Sequence, residues 1–211
     1  MLRRLGCVVL AVCAVSCASP APIAPFVMEG VVGPDVACGY TLDSPLLLGG
    51  MLDTDSSVSP SVRALGIRYV AVVRAAYHHA RPFASWCVEL ATVDSAVIEV
   101  RDALGRRIDF GALPNPYRVA AALRIEGDYG GLGTVELFPL DYGDMLAGLE
   151  GDIVLSVRLR GSDCMSGAML ETPPQEFPIH LCAGCLFTCG AADAPSCAPG
   201  QDQTSVVRCA P

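Results

Sequence analysis

The pair Cys182-Ala183-Gly184-Cys185 has the spacing of a thiol–disulfide exchange motif, in which one sulfur attacks a substrate and the other resolves the mixed disulfide. That chemistry expects the pair at a helix start, after a strand in a βαβ unit, and the surrounding residues do not read that way. Cys182, Cys185, Cys189 and Cys197 together could offer four thiolates to zinc or an iron–sulfur cluster, but their spacing matches no common ligand set. Haem attachment needs a histidine directly after the second cysteine of the pair, and Leu186 stands there. Disulfides remain. Beyond Cys17 the chain carries Cys38, Cys87, Cys164, Cys182, Cys185, Cys189, Cys197 and Cys209, an even set such as four disulfides in an exported chain would use. Five of them crowd into the last thirty residues among Gly184, Gly190, Pro195, Pro199 and Gly200, a composition with little to bury, so crosslinks are expected to hold that tail in shape. Eight cysteines allow on the order of a hundred pairings, and the connectivity stays open.

The other groups able to do chemistry are few. His78 and His79 precede Arg81-Pro82 and read as a solvated loop, while His180 alternates with Ile179 and Leu181 and is expected on the face away from the core. Asp53-Thr54-Asp55-Ser56-Ser57 offers oxygen ligands but lacks the glycine and distal glutamate of a calcium loop, so it reads as a polar turn. Glu150-Gly151-Asp152 likewise reads as a turn before a strand. There is no Gly-x-Ser-x-Gly elbow and no His-Glu-x-x-His pair. All 14 basic residues are arginine, which excludes Schiff-base lysines and a Walker-type phosphate loop. No catalytic residue, metal ligand set or cofactor is therefore expected.

The amino-terminal residues follow a different logic. Arg3 and Arg4 precede an uncharged apolar run from Leu5 to Val15, which ends in the small residues Ser16, Cys17 and Ala18. Charge, apolar core and small-residue cleavage site in that order read as a secretory signal. The run has about eleven residues where a bilayer span needs about twenty, so it is expected to be a signal and not a membrane helix. Ala14-Val15-Ser16-Cys17 resembles the lipobox of bacterial lipoproteins, although Ala14 stands where leucine is common. The resemblance implies cleavage before Cys17, acylation of that cysteine and attachment to a membrane. Ala18 in place of aspartate implies the outer membrane of a Gram-negative bacterium; a secreted or periplasmic protein is the alternative. Residues 18–35 contain four prolines and read as an extended tether.

With residues 1–16 removed, twelve arginines face 22 acids, a formal charge of about −10. An acidic chain without a basic cluster repels phosphate backbones, which disfavours nucleic acid as a partner.

Between Cys38 and Cys182 the pattern is alternation, the signature of strands with one buried face. Tyr117, Val119, Ala121, Leu123 and Ile125 face one way, with Arg118, Arg124 and Glu126 opposite. Ile153, Leu155, Val157 and Leu159 repeat the pattern against Ser156, Arg158 and Arg160. Further strands are expected at 45–52, 66–75, 86–91, 95–102, 106–110, 134–138 and 176–182, with a hairpin at Asp102–Gly105, a turn at 127–133 and one helical turn at 144–149. Trp86, Val88 and Leu90 should face the core, with Cys87 and Glu89 on the other side. About nine short strands without intervening helices imply an all-β fold, an antiparallel immunoglobulin-like β-sandwich, with a closed barrel as the alternative. Strands this short, bearing outward arginines, do not suit an outer-membrane barrel.

The expected organisation is a signal peptide (1–16), a lipidated start and tether (17–35), a sandwich domain (36–182) and a cysteine-rich tail packed on it (183–211). The lipobox-like end at Cys17, the strand into Phe177-Pro178-Ile179-His180-Leu181-Cys182 and the cysteine-rich close resemble lipid-anchored, cysteine-tailed proteins of bacteria with large GC-rich genomes, a group without an assigned activity. The resulting expectation is a non-enzymatic envelope protein with a structural or binding role, bound to the membrane by lipid and to an envelope or extracellular partner. The rival is a periplasmic or cell-surface enzyme using the terminal cysteines for redox or metal chemistry.

Overall fold

The computed structural model describes residues 26–35, 39–55, 66–77, 89–126 and 130–185. Their strands are β1 (Phe26–Val32), β2 (Gly50–Asp53), β3 (Tyr69–Tyr77), β4 (Glu89–Asp102), β5 (Tyr117–Glu126), β6 (Gly131–Phe138), β7 (Gly151–Asp163), β8 (Met169–Glu171) and β9 (Gln175–Cys182), with a short helix α1 (Leu140–Asp144) between β6 and β7. All-β is the class. The nine strands form one sheet in the order β1-β3-β6-β5-β4-β7-β9-β2, with β8 beside β7. Neighbours are antiparallel except β2 and β9, which run parallel.

The two stacked sheets expected from the alternation are replaced by a single curled one, a half-barrel whose inner face packs against itself. Tyr69 of β3 meets Phe177 of β9 with ring centroids 6.0 Å apart, although four strands separate them in the sheet. The Tyr77 hydroxyl, also from β3, donates to Asp163 Oδ2 of β7 at 3.0 Å. The curl needs close backbone approaches. A Cβ on Gly161 of β7 would lie 2.0 Å from the Thr92 carbonyl oxygen of β4, and one on Gly133 of β6 would lie 2.3 Å from the Ala122 carbonyl oxygen of β5. Only glycine lets those strands come so near.

The curl leaves a seam between β1 and β9, and one segment spans it. Residues 45–47 pair with β1, Leu47 N–H donating to the Val31 carbonyl and Gly33 N–H to the Pro45 carbonyl. A few residues later the same chain becomes β2 and pairs with β9, Leu52 opposite Leu181 and Asp53 opposite Cys182. Arg74 of β3 steadies the approach to the seam, pairing with Glu29 and donating to the carbonyls of Leu42 and Ser44.

The two clearest alternations fold as expected. In β5, Tyr117, Leu123 and Ile125 are buried while Arg118, Arg124 and Glu126 are exposed. In β7, Ile153, Leu155, Val157 and Leu159 are buried and Arg158 and Arg160 half-buried, but Ser156, expected with the arginines, is buried as well. Elsewhere the expectations need correction. Residues 26–32, assigned to the tether, form β1 with Phe26, Met28, Val31 and Val32 buried. The segments 86–91 and 95–102 are not two strands: residues 89–102 are one, β4, with an irregularity between Val93 and Ser95 where strict alternation breaks. Residues 106–110 contribute isolated bridges at Arg107 and Phe110 rather than a strand. The helix precedes its expected place, because Pro139 starts it and Tyr142 N–H and Gly143 N–H both return to the Pro139 carbonyl.

One end of the half-barrel is stopped by aromatic side chains. Tyr142 of α1 stacks on Tyr117 with centroids 3.9 Å apart and meets Phe110 edge-on at 5.2 Å. Burial pushes the Tyr117 hydroxyl well above its ordinary pKa, with the charges of Tyr142 and Glu136 adding to the effect. Its O–H donates to the Leu137 carbonyl at 2.6 Å. These hydroxyls close the core and stay protonated at physiological pH.

Candidate functional site

Beside that stopped end lies a buried polar cluster, where β2 and β9 finish together. Cys182 and Cys185 form a disulfide that closes the four-residue turn Cys182-Ala183-Gly184-Cys185. Parallel pairing puts Asp53 directly across from Cys182. Asp53 is fully buried, and its Oδ1 accepts N–H bonds from Gly184 at 2.9 Å and from Asp55 at 3.0 Å. Thr54, also buried, donates its N–H to the Cys182 carbonyl at 2.8 Å and its hydroxyl to the Leu149 carbonyl at 2.8 Å, with the Cys182 carbonyl at 3.3 Å. Cys182 is buried with Sγ 3.8 Å from the Leu52 carbonyl oxygen, whereas Cys185 is exposed.

Asp53 and Thr54, expected in a polar turn, stand at the end of β2 and are buried. The parallel β2–β9 pair draws them inside, and a parallel partner more than a hundred residues away leaves no trace in local spacing. Cys182, two residues after exposed His180, would share its exposed face by alternation. The turn after β9 instead folds it inward, so Leu181 and Cys182 are both buried. His180 is exposed as expected, its Nδ1 2.7 Å from Asp152 Oδ1. Glu150-Gly151-Asp152 leads into β7, as a turn before a strand should.

Cys164 is also disulfide-bonded. It follows β7 at the end opposite the Cys182–Cys185 turn, with its N–H donating to the Leu90 carbonyl of β4. Cys17, Cys38, Cys87, Cys189, Cys197, Cys209, His78, His79, Trp86, Val88, Ser56 and Ser57 lie outside the described residues, as does the side chain of Glu89. Among the described residues no cluster of three or more His, Cys, Asp or Glu side chains is arranged to hold a metal ion, and no helix is long and apolar enough to cross a membrane.

A second feature is the seam. A cleft of about 270 Å³ opens there, walled by Met28, Val31, Leu46, Leu47 and Phe177, with Glu29 and Glu176 among its polar lining. Leu48, also in its wall, is 93% exposed.

The outer face carries ion pairs. Glu171 of β8 bridges Arg158 and Arg160 of β7 at 3.0 and 2.8 Å, and Glu99 of β4 joins Arg101 and Arg107 at 2.7 and 3.0 Å. The hydrogen bond from Arg101, then that from Arg107, holds the Glu99 carboxyl below its ordinary pKa against the opposing effect of burial. The hydrogen bond from Arg160 does the same for Glu171.

Fold and sites together define an all-β half-barrel with a disulfide-closed turn at one end and an apolar cleft along its seam. No protein-family model, curated protein or solved structure matches the chain.

Proposed function

We propose that the chain is an exported, lipid-anchored envelope protein that displays the half-barrel in a structural or binding role. The observation that carries this reading is the presence of disulfides at both ends of the domain, Cys182–Cys185 at one and the bonded Cys164 at the other. Disulfides persist in oxidising compartments outside the cytosol, and the order Arg3-Arg4, Leu5–Val15, Ser16-Cys17 is that of an export signal ending at an acylated cysteine. A diacylated, amide-acylated Cys17 holds the protein at the outer membrane, where one acyl chain alone binds reversibly and several bind stably. The binding face is the seam cleft, whose exposed Leu48 and apolar wall suit an apolar side chain of an envelope or extracellular partner.

The test compares the native chain with Cys17→Ala, both expressed in a Gram-negative host. The native protein should partition into detergent and show an intact mass that starts at Cys17 with the added lipid, while the variant should stay in the aqueous phase. An unlipidated native protein in the aqueous phase overturns the anchor.

A further inference from the structure

We infer that Cys182–Cys185 is an exchangeable disulfide, a site that trades electrons with a dithiol partner while the fold around it stays intact. Three observations converge on this. First, the bond spans only four residues, so it restricts the unfolded chain less than a long-range crosslink would and has little to do for stability. Second, the turn is held without it. Asp53 accepts the Gly184 N–H, Thr54 binds the Cys182 carbonyl through its N–H, and β2 pairs with β9 up to Cys182 itself. Third, the two sulfurs are unequal: Cys185 is exposed and Cys182 is buried, its Sγ within reach of the Leu52 carbonyl. Exposure decides which sulfur is attacked, and exposed disulfides are the labile ones.

The steps balance with a dithiol donor. One donor thiolate attacks Cys185 Sγ, forming a mixed disulfide. The Cys182–Cys185 bond breaks, and Cys182 leaves as a thiolate that takes a proton from water. That thiol then donates toward the Leu52 carbonyl, so the buried sulfur keeps a polar partner in the reduced state. The donor's second thiolate attacks its own sulfur in the mixed disulfide, closing the donor disulfide and releasing Cys185 as a thiolate. Two electrons pass from donor to pair.

The test uses the mature protein in detergent, equilibrated with graded ratios of reduced to oxidised dithiothreitol, quenched with iodoacetamide and mapped by mass spectrometry. Cys182 and Cys185 should become alkylated together, with the far-ultraviolet circular dichroism unchanged. Single variants separate the two roles. The free Cys185 of Cys182→Ser should react with a disulfide reagent at least ten times faster than the free Cys182 of Cys185→Ser. Reduction of the pair only together with loss of the β signal overturns the inference. Equal reactivity of the two single thiols overturns the assignment of Cys185 as the attacked sulfur.

Discussion

Asn115 is the only asparagine in the chain, and it makes three hydrogen bonds that nothing local predicts. Its Oδ1 accepts the Val100 N–H at 2.9 Å, and its Nδ2 donates to the carbonyls of Val100 and Ile108, both at 2.8 Å. One amide thus stitches the end of β4 to the returning chain of its hairpin. Asn115→Ala leaves those backbone groups to find water in a partly closed site, and a loss of about 2 kcal/mol is expected. Urea unfolding should show it as a lower midpoint with an unchanged slope. Glu99 allows a prediction with a sign. Arg101 and Arg107 keep its carboxyl below the ordinary value of 4.5 in the folded protein, so its pairing stabilises the fold above that value and is lost as pH falls through the lower, folded pKa. Glu99→Gln should therefore cost about 0.5–1 kcal/mol at neutral pH, a surface-network magnitude, and almost nothing in strong acid. Parallel unfolding curves of both proteins from pH 7 to pH 2 measure the convergence, and a constant gap would remove the ion pair as its cause. At this scale the sequence was half legible. The spacing of Cys182 and Cys185 was open to inspection, but the burial of Asp53 beside them depends on a parallel partner 129 residues away.

Strands with one wet face announced themselves and the others did not. β5 runs from Tyr117 to Glu126, the span its alternation predicts, because Arg118, Arg124 and Glu126 mark its exposed face toward both ends. β1 leaves no strand signal in the sequence, because Glu29 is its only charged residue and prolines precede it, so its apolar run carries no period of two. In β4 the irregularity at Val93/Ser95 shifts the alternation by one residue, so one long strand reads in the sequence as two short ones. The same place constrains β7. Gly161 lies opposite Val93, and an added Cβ would meet the Thr92 carbonyl oxygen at 2.0 Å and the Val93 Cα at 2.8 Å, both backbone atoms that cannot swing aside. Gly161→Ala must push the β4–β7 pair apart, at a cost of about 2–3 kcal/mol by the usual scale of overpacking. Gly105→Ala is the control, since its Cβ would meet nothing within 4 Å and only the left-handed φ of 78° is strained. If thermal unfolding shows the Gly105 variant to be the less stable of the two, the close approach at Gly161 is not what limits the sheet.

Alternation reports that a strand has one buried face and is silent about what buries it. A facing sheet and the far side of the same curled sheet leave the same period of two, which is why a sandwich was expected where a half-barrel stands. The distinction lies in contacts such as Tyr69 on Phe177 and Tyr77 on Asp163, which join residues from distant parts of the chain. The curl also ranks the strands by how firmly they are held. β4 is bonded on both sides, to β5 and to β7, and β7 is bonded to β4 on one side and to β9 and β8 on the other. β2 is four residues long, has a single strand neighbour and sits at the end of the sheet order, with the seam beyond it. Local opening should therefore begin at the seam, releasing residues 45–53 while the β5-β4-β7 centre stays closed. Native-state hydrogen exchange is the direct measurement: amides of Val97, Ile98 and Val157 should exchange only by global unfolding, while those of Leu47 and Leu52 should exchange through a smaller opening that barely depends on denaturant. The seam cleft would then widen in the same opening, so a partner bound there should slow exchange at Leu47 and leave Ile98 set by the global stability. Equal protection across the two groups would mean that the seam unfolds only with the whole sheet, and the half-barrel would then behave as one cooperative, effectively closed unit.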